Sequence, residues 1–117
     1  MSQLLRGPAL IEAVSSYLAN SDLTDCSPEH FAALVGLPVR TLQYRLRQAG
    51  SGWRELKRGE KESRLRQLVD SPGRINLQSA SRICGFTYVD AFLVFFKDVM
   101  RMSYTEHRLA QQEGPWL

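Results

Sequence analysis

Between Glu29 and Glu55 the chain carries no acidic residue, and inside that window Arg40, Gln43, Tyr44 and Arg47 recur at helical spacing. On a helix these four side chains share one face, opposite the apolar stripe Val39, Leu42 and Leu46. A guanidinium offers paired donors that match guanine O6 and N7, and a glutamine amide pairs with adenine N6 and N7. One good bidentate pair of this kind is worth ~1–3 kcal/mol of discrimination. Tyr44 suits a thymine methyl or a phosphate. Arg45, Arg47 and Arg54 suit phosphate oxygens, contacts that set position and salt dependence rather than base choice. The same face also fits a plain solvated helix.

Other chemistry is sparse. Cys26 and His30 stand at metal-like spacing, but partner ligands are missing from the sequence around them, and chance is the better account. His30 and His107 are isolated and expected on helix surfaces. Met100 and Met102 fit core gaps, and Trp116 in the tail has no evident role. No nucleophile–base spacing, glycine-rich phosphate loop or carboxylate pair stands out, so neither an enzyme, a metal site nor a cofactor is expected.

The charge is uneven. The net charge is +3, but Arg40–Arg74 alone carries +6 and the remainder −3. A basic centre in a mildly acidic protein points to a polyanionic partner. The 117 residues are 44% apolar and 23% charged, enough for one small domain or two very small subdomains sharing a helix. The longest apolar run, Ala91–Phe96, is six residues, far below the ~20 of a membrane span. Arg6-Gly7-Pro8 interrupts the N-terminus too early for a signal peptide. Cys26 and Cys84 read as free thiols in a reducing compartment rather than a disulfide. Together these features exclude a membrane protein, a disulfide scaffold and most large-fold enzymes, and they point to a cytoplasmic address.

The elements that must position the basic face are all helical. Leu10, Val14 and Leu18, widened by Ile11 and Tyr17, predict a helix over 8–20, with Pro8 in its first turn. Ser27-Pro28-Glu29 starts a short helix through Phe31, Ala32, Leu34 and Val35 that stops at Gly36. Gly36-Leu37-Pro38 turns the chain into a helix over 38–49, closed by Gly50. A longer helix follows over 53–69, with Ser51 near its cap. Its polar middle contains Gly59, a position that costs ~1 kcal/mol against alanine and is where fraying is expected. Ser71-Pro72-Gly73 is a stop. Asn76 caps a helix over 77–84 ending at Gly85, Phe86-Thr87 makes a turn, and a helix over 88–100 is buried through Phe92, Phe96 and Val99. The run Phe92–Phe96 alone would also fit a buried strand. A last helix is expected over 105–112.

Short helix, glycine turn and longer helix thus occur twice. Gly36 and Gly85 are 49 residues apart, whereas Leu42/Leu46 and Phe92/Phe96 are offset by 50, so the second copy has one extra turn residue. The expected fold is all-α: two helix-turn-helix subdomains joined by a long linker helix, about seven helices in all. Residues 1–50 would hold the first helix and first helix-turn-helix, 51–72 the linker, and 73–117 the second helix-turn-helix and C-terminal helix.

The stretch Gly36-Leu37-Pro38-Val39-Arg40-Thr41-Leu42-Gln43-Tyr44-Arg45-Leu46-Arg47-Gln48-Ala49-Gly50 resembles the first helix-turn-helix of the AraC/XylS family of bacterial transcription regulators. Trp53-Arg54-Glu55-Leu56 fits the start of that family's linker helix. Cys84-Gly85-Phe86-Thr87, Phe92, Phe96-Lys97 and Glu106-His107-Arg108 fit its second unit. The resemblance covers roughly residues 8–108. It implies seven helices, with two recognition helices entering adjacent major grooves on one face of double-stranded DNA. It further implies base contacts by Arg40, Gln43 and Tyr44, and phosphate contacts by Thr41, Arg45, Arg47, Arg54 and Lys97. Transcription activation through RNA polymerase, in the bacterial nucleoid, is the implied role. Many relatives carry a ligand-sensing domain ahead of this one, so the chain is either a stand-alone short regulator or the C-terminal part of a longer one.

The second unit departs from the family pattern. Its groove-facing positions are Val89, Asp90, Leu93 and Val94, where polar or basic residues are usual. Arg101 replaces a usual glycine, Tyr104 a proline and His107 a tyrosine. From Ile75 onward four basic residues balance four acidic ones. Val89, Leu93 and Val94 would form an exposed apolar patch, the kind of surface that more often meets protein than DNA. Two readings follow. Either the first unit alone reads sequence and the second serves a protein partner or homodimer, or the second contacts thymine methyls and the backbone.

Overall fold

A computed structural model describes residues 6–70 and 76–111, with side chains described through His107. The expected stop at Ser71-Pro72-Gly73, the side chain of Arg108, the expected helix end at Gln112 and the tail Trp116 lie outside the described residues. Within them are seven helices and no strand: α1 Gly7–Ala19, α2 Pro28–Val35, α3 Val39–Gln48, α4 Trp53–Asp70, α5 Leu77–Ile83, α6 Val89–Met100 and α7 Tyr104–Gln111. None of these helices is long and apolar enough to cross a membrane. The chain divides into two compact units, Met1–Glu60 and Lys61–Leu117.

In the first unit, Leu10, Val14 and Leu18 of α1 are fully buried, each burial contributing ~1.5–3 kcal/mol. After α1 the Asp22 carboxylate accepts from the Thr24 amide at 2.9 Å, an Asx turn that drops Leu23 into the core. Ser27 caps α2 by accepting from the His30 amide at 3.1 Å. His30 is exposed, as expected, but not isolated: its Nδ1 lies 2.7 Å from the Tyr17 hydroxyl. Tyr17, Phe31 and Trp53 form one aromatic cluster, with ring centroids 5.3–6.1 Å apart. That cluster fastens the first turn of α4 to α1 and α2.

In the second unit, Asn76 caps α5 by accepting from Ser79 at 2.7 Å. Phe92, Phe95 and Phe96 are buried on α6, so the apolar run is helical and the strand alternative falls. Phe95 goes in against Phe86, centroids 5.0 Å apart, while Val99 is only half-buried. The expected inward set therefore changes by one residue, because a five-residue apolar run leaves the angle of the buried stripe open. Burial pushes the Cys84 thiol up to about 11, against the lowering fields of Arg64 and Lys61. The polar middle of α4 is used here too. Lys61 Nζ sits 4.4 Å from the Phe86 ring centre, and Arg64 donates to the Ile83 carbonyl at 3.0 Å, satisfying the end of α5. The helix runs unbroken through Gly59.

α7 is opened by a capping box that sequence reading overlooked. Glu106 N–H donates to Ser103 Oγ at 3.1 Å and Ser103 N–H donates to Glu106 Oε1 at 3.3 Å. These bonds hold the Glu106 carboxyl below the usual carboxylate range. His107 corrects another expectation: it is buried rather than on a helix surface, packed edge-on against Phe96 at 5.5 Å. Tyr104, three residues earlier on the same face, meets Phe96 at 5.7 Å.

The two glycine turns close identically. Gly36 and Leu37 amides donate to Ala33 and Ala32, and Gly85 and Phe86 amides to Arg82 and Ser81, each glycine at positive φ (73° and 87°). α3 then begins three residues after Gly36, with Pro38 at its cap rather than inside the helix, whereas α6 begins four residues after Gly85. That extra residue converts the 49-residue offset of the glycines into the 50-residue offset of the cores. Buried Ser81 reaches across the longer turn, its hydroxyl 3.4 Å from the Phe86 carbonyl and 3.5 Å from that of Tyr88.

Candidate nucleic-acid interface

α3 has two unlike faces. Leu42 and Leu46 are fully buried and Val39 packs against the same core. Arg40, Gln43, Tyr44 and Arg47 are exposed, with Tyr44 at 58%. Thr41 and Arg45, expected at phosphates, are half-buried along the flanks of the helix. The helix holds three arginines and no carboxylate.

Two features of this face were not read from the sequence. Gln48 Nε2 donates to the Tyr44 hydroxyl at 3.0 Å, so the phenol is held along the helix rather than swinging free. The 44/48 spacing was the available signal. Second, a polar cleft of about 560 Å³ opens between α3 and the start of α4, lined by Gln43, Arg47, Trp53, Arg54 and Glu55 among others. The structure thus brings Gln43, Arg47 and Arg54 to one place and adds a carboxylate. Arg54 is exposed, as a phosphate contact requires.

The second unit is less suited to a polyanion. Asp90 and Lys97 are exposed and Val94 is 72% exposed. Val94, Lys97, Asp98 and Arg101 surround a shallow hollow of about 450 Å³. The expected apolar patch is smaller than the sequence implied. Leu93 is half-buried against the second core and Val89 is half-buried, because the helix turns these residues toward the flank of the phenylalanine stripe. Exposed Tyr88, at 74%, lies at the cap of α6.

Two helix-turn-helix units, each built on its own core and each sending residues of α4 into that core, define the class of fold. A DNA-binding transcriptional dual regulator from Escherichia coli K-12 shares it, with a TM-score of 0.72 over 86% of this chain and 96% of that one, at 19% identity. In sequence, 88 residues are 33% identical to a 4-hydroxy-tetrahydrodipicolinate synthase from Chlorobium phaeovibrioides. That match takes in 75% of this chain but spans only 29% of the synthase. No protein-family model matches the chain.

Proposed function

We propose that this chain is a sequence-specific regulator of transcription that binds double-stranded DNA, of the AraC/XylS type. One observation carries the reading: α3 buries Leu42 and Leu46 and turns Arg40, Gln43, Tyr44 and Arg47 outward on a helix free of carboxylates. The second helix of a helix-turn-helix is the element that enters the major groove. Arg40, Gln43 and Tyr44 then meet base edges. Thr41, Arg45, Arg47, Arg54 and, from α6, Lys97 meet phosphates. The shared fold with a DNA-binding transcriptional regulator supports this reading. Activation through RNA polymerase follows from the family resemblance of the sequence, as does a bacterial, nucleoid-associated setting.

A second reading makes the chain a protein-interaction module, with α6 as a partner or homodimer surface. Exposed Tyr88 and Val94, with Asp90 repelling phosphate, favour it. Selection from a random duplex library with the purified chain separates the readings. Two enriched boxes about one helical turn apart mean that both units read DNA. One short box assigns readout to α3 alone. No enrichment from folded protein refutes the regulator and favours the module.

A further inference from the structure

The cleft beside α3 holds one group that a phosphate-binding corner does not need. Glu55 lines it together with Arg47, Arg54 and Gln43. It is the first acidic residue after Glu29, which leaves it the lone carboxylate among the cations from Arg40 to Arg58. The carboxylate folds back toward Gly52, its Oε2 close to where a Cβ at residue 52 would sit. Glu55 is exposed at the start of α4 and is part of the cleft's lining.

Taking the DNA reading as its basis, we propose that Glu55 acts as an electrostatic brake on backbone capture at the corner between α3 and α4. A phosphate approaching Arg47 and Arg54 meets their attraction and the Glu55 repulsion together. The carboxylate cancels part of the charge that the two arginines supply. Because it lies on α4, beside Arg54 and off the outward face of α3, it lowers affinity for all sequences alike and leaves base preference to Arg40, Gln43 and Tyr44. Such a brake keeps non-specific binding, which rests on phosphate contacts, from saturating the protein on arbitrary DNA.

The test is Glu55→Gln in the full chain. Glutamine keeps the shape and also serves at the third position of a helix, so circular dichroism and melting report an intact fold. Glu12→Gln on α1, exposed and outside the cleft, controls for the same change of net charge. Binding to a labelled random-sequence duplex is measured from 50 to 200 mM salt. The Glu55 variant is expected to bind about three- to tenfold tighter at the lowest salt, with a log–log slope steeper by up to about 0.9, while the Glu12 variant stays within about twofold of wild type. Equal gains from both variants, or wild-type binding that Glu55→Gln leaves unchanged in affinity and slope, refutes the brake and leaves the DNA reading standing. Failure of wild type and variant alike to bind at low salt refutes the DNA reading, and the brake falls with it.

Discussion

Arg40 and Arg47 lie two turns apart on the exposed face of α3, and the proposed interface gives them different work. Four cations are assigned to phosphates: Arg45, Arg47, Arg54 and Lys97. Each phosphate neutralised contributes about −0.9 to the slope of log affinity against log salt, so the four cations alone would give a slope near −3.6 and a loss of roughly 150-fold in affinity between 50 and 200 mM, with Glu55 making the wild-type slope shallower by up to about 0.9. Arg47→Ala removes one such contact, which makes the slope shallower by about 0.9 and the loss over the same range roughly 3.5-fold smaller than in wild type. It should weaken every sequence equally. Arg40→Ala removes a base contact instead. It should cost ~1–3 kcal/mol at one base pair, a drop of about 5- to 150-fold in discrimination, and leave the slope close to wild type.

Both side chains are exposed, so neither truncation opens a core cavity, and stability should stay within ~0.5 kcal/mol of wild type. The assay is a fluorescence titration over a salt series on the selected site and on a panel of single-base variants of it. A wild-type slope near zero refutes phosphate-led binding. An Arg40→Ala protein that weakens all sites equally and flattens the slope moves Arg40 to the backbone, and an Arg47→Ala protein that relaxes one base pair moves Arg47 to the bases.

Three further expectations concern the second unit. Arg101 ends α6 at φ 62°, a left-handed conformation that costs a side-chain-bearing residue ~1–2 kcal/mol, so Arg101→Gly should raise the unfolding free energy by ~1 kcal/mol in urea titration. The Glu106 carboxyl is held below its ordinary range by Ser103. Its stabilising contribution is complete above the usual carboxylate pKa and is lost as pH falls through the lowered folded value. Amide protection factors in α7, corrected for the intrinsic pH dependence of exchange, should therefore fall on acidification in wild type, and Glu106→Gln should abolish that fall; equal acid sensitivity in the variant refutes the capping box as its cause. Burial and a thiol pushed up to about 11 leave Cys84 almost wholly protonated at neutral pH. A thiol reagent should accordingly label half-buried Cys26 first and reach Cys84 only in denaturant, as peptide mapping would record.

What the sequence made legible was local. Leu10, Val14 and Leu18 declare a helix face by spacing alone. Ser27 and Asn76 declare helix starts because a short polar side chain satisfies an amide within the same turn. Gly36 and Gly85 declare the two turns because each sits at positive φ. Contacts between elements were not legible. Nothing in the spacing of Phe92, Phe95 and Phe96 says which neighbour turns inward, since that depends on Phe86 arriving from the turn. His107 looked like a surface residue because its burial is supplied by Phe96 on another helix. Lys61 and Arg64 read only as part of the polar middle of a helix because their partners, the Phe86 ring and the Ile83 carbonyl, lie 19 to 25 positions further along the chain.

The same division governs the candidate interface. The outward set on α3 could be read from its period, but the cleft could not, because it exists only where α3 and the start of α4 come together. α3 and α6 follow glycine turns closed by the same pair of hydrogen bonds, the second turn one residue longer, yet their outward faces differ in kind. α3 presents Arg40, Gln43, Tyr44 and Arg47, and α6 presents Asp90, Val94, Lys97 and Asp98. A repeated fold with unrepeated surface chemistry argues that the cores were held to one pattern by packing while the faces answered to different ligands. On that argument the decisive contrast is Val94→Arg. If α6 meets DNA, the added cation should tighten duplex binding and steepen the salt slope by about 0.9. If α6 meets protein, binding to DNA should not move, and any self-association seen by sedimentation at high protein concentration should vanish.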